Sequence, residues 1–341
     1  MATPARPWAR LSDARLLDWR ICDLGLELEA SPVAPRLAQL ARELERRGLR
    51  FRPYAWLSTD WFTPDGATGF AVPFYLAHPR LVRLERAQML EVGGGSREEC
   101  LKILRHETAH ALDNAYRVRR RKRWREVFGP ATQAYRSSYA PDPTSRAHVL
   151  NLHYWYSQSH PIEDWAETFA VWLRPGSRWR ARYAGWPALA KLEYVEEVMA
   201  ELRDAAPRVR SRAREEPLRS VRNTLREHYR RKRAAYAAEG NSALDGPLAR
   251  VFAQGGGGAR QRARASTFLR RHRAELVQRV AGATGQDRYL LDHVVREMVA
   301  RCRSQDLRLA ATPKDALVDA AVLLTSLSTQ FLYGAHPRYQ R

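Results

Sequence analysis

Cysteines, lysines and long apolar runs are scarce in this chain of 341 residues. Its three cysteines, Cys22, Cys100 and Cys302, stand far apart, which excludes a disulfide framework and a zinc site built from cysteines. No apolar run approaches the ~20 residues that a membrane-spanning helix needs. The first residues lack the apolar core of a signal peptide. We therefore expect a cytoplasmic protein without a membrane span.

Basic residues are abundant and almost all of them are arginine. Only five of the 58 are lysine, and the net charge is +21. Residues 1–204 carry 31 basic and 25 acidic residues, whereas residues 205–341 carry 27 and 12. Arginine favours bidentate contacts to phosphate and carboxylate groups, although a GC-rich coding sequence also enriches it. The second region is predicted to attract nucleic acid or other polyanions nonspecifically.

Hydrophobic patterning divides the chain into a mixed part and a helical part. Hydrophobic residues make up 45% of the chain, enough to bury a core. We predict an α+β domain over 1–205 with a small sheet, followed by an all-α basic region over 206–341. The predicted strands are 50–58 and 68–76, with Pro73 marking an edge strand. Helices are predicted at 35–48, 97–120, 161–174, 189–204, 217–238, 262–283, 287–303 and 313–330.

The helix predicted at 97–120 carries the pattern HExxH. Ser96 and Glu99 form a capping box before it, and His106 and His110 lie four residues apart inside it. Residues at this spacing share one face of a helix, so both imidazoles can bind one zinc ion. Glu107 then lies beside the ion as a general base. The predicted cofactor is Zn²⁺.

A catalytic zinc ion needs a third protein ligand and an open position for water. Glu163 and Glu167 lie four apart on an otherwise apolar helix, where buried carboxylates are costly unless they are paired or bind metal. One can bind zinc while the other orients a ligand histidine through its second ring nitrogen. Asp164 fits a carboxylate that stabilises the helix N-terminus. The downstream candidates are His148, His153, His160, Glu163, Asp164 and Glu167.

These motifs resemble the gluzincin group of zinc metallopeptidases, in which a second helix supplies a glutamate ligand after HExxH. The strings at 73–76, 104–116 and 160–173 resemble the bacterial putative zinc-binding metallopeptidase family, with a resemblance over about residues 10–205. It implies a zincin-like fold, bound zinc and a peptide or protein substrate. The gluzincin register implies Glu163 as the ligand and Glu167 as its outer-shell partner. The reverse assignment stays open.

The same resemblance suggests further site residues. Asp113, three residues after His110, resembles the outer-shell acid of HExxHxxD zincins. Related gluzincins place a tyrosine before the glutamate ligand, so Tyr156 and then Tyr154 are candidate donors to the oxyanion. His153 and His160 are further candidates for that role, and packing in the core is the competing explanation for the two tyrosines.

Together these features predict a zinc-dependent metallopeptidase that hydrolyses peptide bonds. Glu107 would take a proton from the attacking water and pass it to the leaving amine. The strand at 68–76 would hold an extended substrate along its edge, unless it is an ordinary sheet edge. The alternative is a nucleic-acid- or anion-binding protein on a zincin scaffold. The arginine-rich runs 230–233 and 270–273 motivate that alternative.

Overall fold

A computed structural model describes residues 6–135, 139, 142, 144–236, 244–254 and 262–334. The chain divides into two compact units. The first contains Met1–Gln88 and Val92–Arg230, and the second contains Met89–Glu91 and Arg231–Arg338. Helices dominate both units, each with a small sheet, which agrees with the predicted α+β class.

The first unit combines helices with one pair of strands. Its strands are β1 (Tyr54–Ser58) and β2 (Gly69–Pro73). Short 3-10 helices connect the elements, and those at Phe74–Ala77, Val118–Arg120 and His153–Gln158 matter below. The helices that begin in this unit are α1 (Asp13–Leu16), α2 (Ala34–Arg46), α3 (Pro79–Met89), α4 (Arg97–Tyr116), α5 (Lys122–Phe128), α6 (Pro161–Leu173), α7 (Trp179–Arg182), α8 (Ala188–Leu202) and α9 (Leu225–Tyr236).

Strands β1 and β2 form a parallel pair in which Tyr54 lies opposite Gly69. A side chain at Gly69 would place its Cβ 2.2 Å from the carbonyl oxygen of Tyr54, so only glycine fits this close approach. All of β2 is buried, and the N–H of Ala71 donates to the carbonyl of Phe62 at 2.8 Å. The chain leaves β2 at Pro73, so the strand is shorter than the predicted 68–76.

Helix α4 begins as its sequence predicts and ends earlier. The N–H of Glu99 donates to the Ser96 hydroxyl at 3.1 Å, which caps the helix. The predicted helix end at 120 is wrong, because Arg117 adopts a left-handed conformation (φ 57°) and stops α4 at Tyr116. A basic run, residues 117–125, follows α4. It forms a 3-10 turn and α5, and it buries Trp124 in the core.

Residues 206–224 form an irregular segment against the first unit. The indole N–H of Trp56 donates to the carbonyl of Glu215 at 2.9 Å, and the Ser58 hydroxyl donates to the carbonyl of Glu216 at 2.8 Å. The N–H of Ile21 donates to the carbonyl of Asn223 at 3.0 Å. A helix begins only at Leu225, eight residues after the predicted start at 217. The domain boundary at 205/206 stays a prediction, while these contacts hold 206–224 to the first unit.

The second unit packs helices over an apolar core. These helices are α10 (Asp245–Val251), α11 (Ala265–Thr284), α12 (Arg288–Ser304) and α13 (Pro313–Gly334). Their core includes Leu269, Leu276, Val294, Met298 and Leu324. Among the described residues, no helix has both the length and the apolar character needed to cross a bilayer.

The prediction of an all-α second region is wrong. Strand β3 (Phe252–Gln254) pairs antiparallel with β4 (Leu307–Leu309), so that Phe252 lies opposite Leu309. Leu307 and Leu309 are buried and flank the partly exposed Arg308, the alternation typical of a half-buried strand. A three-residue strand is too short for this alternation to stand out in the sequence.

Candidate metal centre

His106 and His110 lie one turn apart on α4 and direct the same ring atom toward one point. Their Nε2 atoms are 3.0 Å apart, and their ring centroids are 4.7 Å apart. His106 is buried and His110 is partly exposed. This is the geometry that the i,i+4 spacing predicts for a histidine pair facing a common ligand.

Helix α6 brings Glu163 to the same point. On the same helix, the indole N–H of Trp165 donates to the carbonyl of Ala109 at 3.2 Å, and this hydrogen bond holds α6 against α4. The Oε2 atom of Glu163 lies 3.1 Å from Nε2 of His106 and 3.4 Å from Nε2 of His110. One ligand atom from each of the three residues lies within 4.8 Å of the others.

The donor set fits a metal ion. The Oε2 atom of Glu163 is buried and accepts no hydrogen bond of good geometry within the described part of the chain. A buried carboxylate oxygen without a partner is costly, and a cation held with the two imidazoles would compensate it. Two nitrogen ligands and one oxygen ligand suit zinc, and they leave a fourth tetrahedral position open. The buried His/Glu cluster can therefore bind a metal.

The electrostatics of the cluster favour a positive charge between its members. Burial opposes a charge on His106, but the adjacent carboxylates of Glu163 and Glu167 hold the pKa of this histidine well above its ordinary value. Burial likewise acts to raise the pKa of Glu163, yet the two histidines hold it well below its ordinary value. A metal ion would take the place of the proton, since metals bind neutral imidazole and ionised carboxylate.

Glu167 contacts the other side of His106. Its Oε1 atom lies 2.8 Å from Nδ1 of His106 and accepts from the side-chain amide of Asn151 at 2.9 Å. Its Oε2 atom accepts from the backbone N–H of Leu152 at 2.7 Å. With both oxygens engaged, Glu167 is placed to orient the imidazole and to keep its Nε2 free for a metal.

Glu107 is buried beside the cluster and is oriented by a residue that sequence reasoning missed. The Thr63 hydroxyl donates to its Oε2 atom at 2.8 Å. Burial raises the pKa of Glu107, although the nearby histidines and Thr63 act to lower it. A raised pKa suits a group that must accept a proton and later release it. Thr63 lies in the loop before Pro64-Asp65-Gly66, and no sequence pattern distinguishes it.

Tyrosines approach the cluster from the connection between α5 and α6. The ring of Tyr156 lies 5.7 Å from the ring of His106, and burial together with Glu163 raises the pKa of this tyrosine well above its ordinary value. The side chain of Tyr154 lies outside the described part. Tyr135, which sequence reasoning missed, donates its hydroxyl to Oε1 of Glu163 at 2.7 Å. The only sequence signal is the abundance of tyrosine in 126–159.

Other predicted residues have different neighbours. Asp113 accepts from the N–H of Arg119 at 2.7 Å, and no hydrogen bond to His110 is found among the described residues. Its proposed role as an outer-shell acid is thus untested. His160 caps α6 by accepting from the N–H of Ile162 at 3.1 Å and donates to the carbonyl of Gln133 at 2.8 Å. Both of its ring nitrogens are therefore engaged.

Asp164 is buried beside a lysine rather than exposed at the helix end. It accepts from Nζ of Lys191 at 2.6 Å, and Nε2 of His148 lies 3.8 Å away. Burial raises the pKa of Asp164 to about 7, despite the lysine, which acts to lower it. These contacts direct its carboxylate to α8, while its place in the first turn of α6 also fits the helix-dipole role that the sequence indicates.

One segment of the chain is similar to a known protein family. Residues 86–177 match the model of a family described as "Putative zinc-binding metallo-peptidase". The match includes α4 and α6, and hence His106, His110 and Glu163, and it confirms the family resemblance. Searches of curated proteins and of solved structures gave no match.

Proposed function

We propose that the protein is a zinc-dependent metallopeptidase with a zincin-like fold, and that His106, His110 and Glu163 hold the zinc ion. The observation that carries the proposal is the buried Oε2 atom of Glu163, which accepts no hydrogen bond of good geometry from a described residue and lies within 3.4 Å of two facing imidazole nitrogens. The family match over 86–177 supports the peptidase class and a peptide or protein substrate.

In the proposed mechanism, Glu107 is the general base. A bound zinc ion would lower the pKa of a coordinated water and polarise the scissile carbonyl. Glu107 accepts a proton from the attacking water and transfers it to the leaving amine. Thr63 holds one carboxylate oxygen of Glu107, which leaves the other free for the proton. Glu167 keeps His106 in the orientation and tautomer that a metal ligand needs.

The proposed mechanism also needs a group that donates a hydrogen bond to the oxyanion. Tyr156 is the first candidate for this role and Tyr154 the second. The raised pKa of Tyr156 keeps its hydroxyl protonated, so that it can donate a hydrogen bond to developing negative charge. Substrate pairing along β2 has less support. This strand is buried throughout, and Phe62 already accepts the N–H of Ala71.

The alternative function, a nucleic-acid- or anion-binding protein on a zincin scaffold, has no support from the comparisons. Part of the arginine charge in α11 is neutralised locally. Arg279 lies 2.9 Å from Glu275, and Arg273 lies 3.1 Å from Asp292. The predicted cytoplasmic location stays a prediction.

The proposal is tested with Glu107→Gln, an isosteric change that cannot accept the proton. The variant should bind zinc as the wild type does and lose hydrolysis of labelled casein and of a mixed peptide library by about 100-fold or more. Glu98→Gln, an exposed position on the same helix, is the matched control and should keep full activity. Equal turnover by the Glu107→Gln variant and the wild type would remove Glu107 from the mechanism.

A further inference from the structure

A pocket of about 730 Å³ opens in the second unit between the N-terminal turns of α11 and the C-terminal turns of α12. Its polar lining includes Arg264, Arg270, Arg296, Arg303, Ser266 and Thr267. The volume falls within the ~300–1,000 Å³ that is usual for small-molecule sites. The first unit holds the candidate metal centre, so this pocket is a separate feature of the molecule.

Positive charge in the pocket exceeds the negative charge available to it. Asp306 is the acidic residue in its lining; it lies 4.0 Å from Arg264 and also pairs with Arg308. Arg296 is bound to Asp292. Within the described part of the chain, Arg270 and Arg303 contact no carboxylate. Arg270 and Arg303 are both exposed, so water weakens the repulsion between the two guanidinium groups that border the cavity, and a bound anion would relieve what remains.

Ser266, a largely buried residue in the same lining, has a hydroxyl without a hydrogen-bond partner among the described residues. The residue is 6% exposed. It lies in the first turn of α11, a helix of 20 residues whose N-cap, Arg264, provides no side-chain cap. The first N–H groups of α11 carry partial positive charge and favour anions, and Arg303 in the last turn of α12 offsets the partial negative charge at the end of that helix. Ser266 therefore adds a neutral donor to a site that is otherwise cationic.

We propose that this pocket binds the phosphate groups of a small phosphorylated molecule, with Arg270 and Arg303 as the principal contacts and Ser266 as a hydroxyl donor. Phosphate suits the site because its several oxygens and multiple charges match paired guanidinium forks and a helix N-terminus at once. A concave pocket favours a compact ligand, whereas a duplex would contact an extended basic surface. The inference does not depend on the peptidase proposal.

The test is isothermal titration of the full-length protein with two probes, sodium tripolyphosphate and ATP, at low and moderate salt. Arg270→Gln/Arg303→Gln should weaken both by about tenfold or more, because hydrogen bonds to charged groups are lost. Arg250→Gln/Arg271→Gln removes the same charge from exposed positions outside the pocket lining and should have little effect. Ser266→Ala should weaken binding by a smaller factor. Equal affinity for the two probes would show that the pocket recognises the phosphate groups alone. Tighter binding of ATP would show that the pocket also contacts the nucleoside.

Three results would overturn the proposal. One is the absence of binding of both probes at low salt. Another is an equal loss of affinity in the two double variants, which would indicate that binding depends on the overall positive charge and not on the pocket. The last is binding of a short DNA duplex without binding of either probe, which would indicate an extended nucleic-acid surface. Thermal unfolding of each variant without probe checks the fold, and the single variants Arg270→Gln and Arg303→Gln replace the double variant if it unfolds early.

Discussion

Tyr135 and Glu163 are joined by a 2.7 Å hydrogen bond in which the phenol donates to Oε1 of the carboxylate. The other oxygen, Oε2, faces the two imidazoles of the candidate metal centre. The ring of Tyr135 stacks on His160 with centroids 3.8 Å apart and planes 13° apart. Since His160 caps α6, the helix that carries Glu163, the stacked pair of Tyr135 and His160 both caps the helix and orients the carboxylate.

This relationship predicts that Tyr135→Phe lowers zinc affinity without removing the site. The phenyl ring keeps the stack on His160, but Oε1 of Glu163 loses its donor and the carboxylate gains freedom to rotate. Loss of such an outer-shell contact typically costs about 10–100-fold in metal affinity. Competition with a chelating indicator measures the effect. Tyr116→Phe, which removes a hydroxyl bound to the carbonyl of Ala205 at 3.1 Å, is the control. Equal zinc affinity in both variants would contradict the proposed role of Tyr135.

The two glutamates of α6 should respond differently to the same substitution. Glu163→Gln should abolish stoichiometric zinc binding, because an amide is a poor substitute for an anionic ligand. Glu167→Gln should retain zinc with affinity reduced by about 10–100-fold, because it perturbs only the orientation of His106. Metal analysis after dialysis distinguishes them, with Glu98→Gln as the control. If Glu167→Gln loses zinc and Glu163→Gln keeps it, the two roles are reversed.

Sequence reasoning was most accurate where local spacing determines the geometry. The capping box at Ser96, the helical spacing of His106 and His110 and the proline start of α6 are properties of short segments. The pairing of Glu163 and Glu167 could be predicted too, since two carboxylates on an apolar helix need partners. Which carboxylate faces which nitrogen depends on how α6 packs on α4, so the residues alone left that open.

Tertiary contacts account for what the sequence did not reveal. Thr63, Asn151 and Tyr135 reach the centre from loops whose paths are determined by the whole unit, and each is an ordinary loop residue in the sequence. Asp164 shows the same limit: its position at a helix start indicates a dipole role, but its contact with Lys191 depends on another helix. The strand pair β3–β4 was missed because each strand has only three residues.

The second unit should lose stability as pH rises through neutrality. Glu91 accepts from the N–H of Arg288 at 3.0 Å, and burial together with Asp287 raises its pKa from 4.5 to about 7. A raised carboxyl pKa means that the folded state binds the proton more tightly. Its contribution to stability is therefore complete below the unfolded pKa and is lost as pH rises through the folded pKa.

Glu91→Gln tests this linkage because glutamine keeps the acceptor and has no charge. The variant should raise the thermal unfolding midpoint above about pH 8, and this advantage should shrink as pH falls toward the ordinary pKa of glutamate. Asp319→Asn, an exposed change on α13 in the same unit, is the control for loss of one negative charge. A gain that is the same at all pH values would indicate better packing instead of relief of the partly desolvated charge beside Asp287.

Residues 206–224 should be needed for the stability of the candidate metal centre, although every proposed ligand precedes them. A chain that ends at Ala205 lacks the carbonyl groups that accept hydrogen bonds from Trp56 and Ser58. It also lacks the carbonyl group that accepts the hydrogen bond of the Ile21 N–H. A buried polar group left without a partner costs about 1–3 kcal/mol.

A chain that ends at Arg230 keeps these contacts and the buried side chains of Leu225 and Tyr229. We therefore expect it to unfold at a higher temperature and to retain more zinc after dialysis. Equal unfolding midpoints and equal zinc contents of the two truncated chains would show instead that the metal centre is stable without this segment.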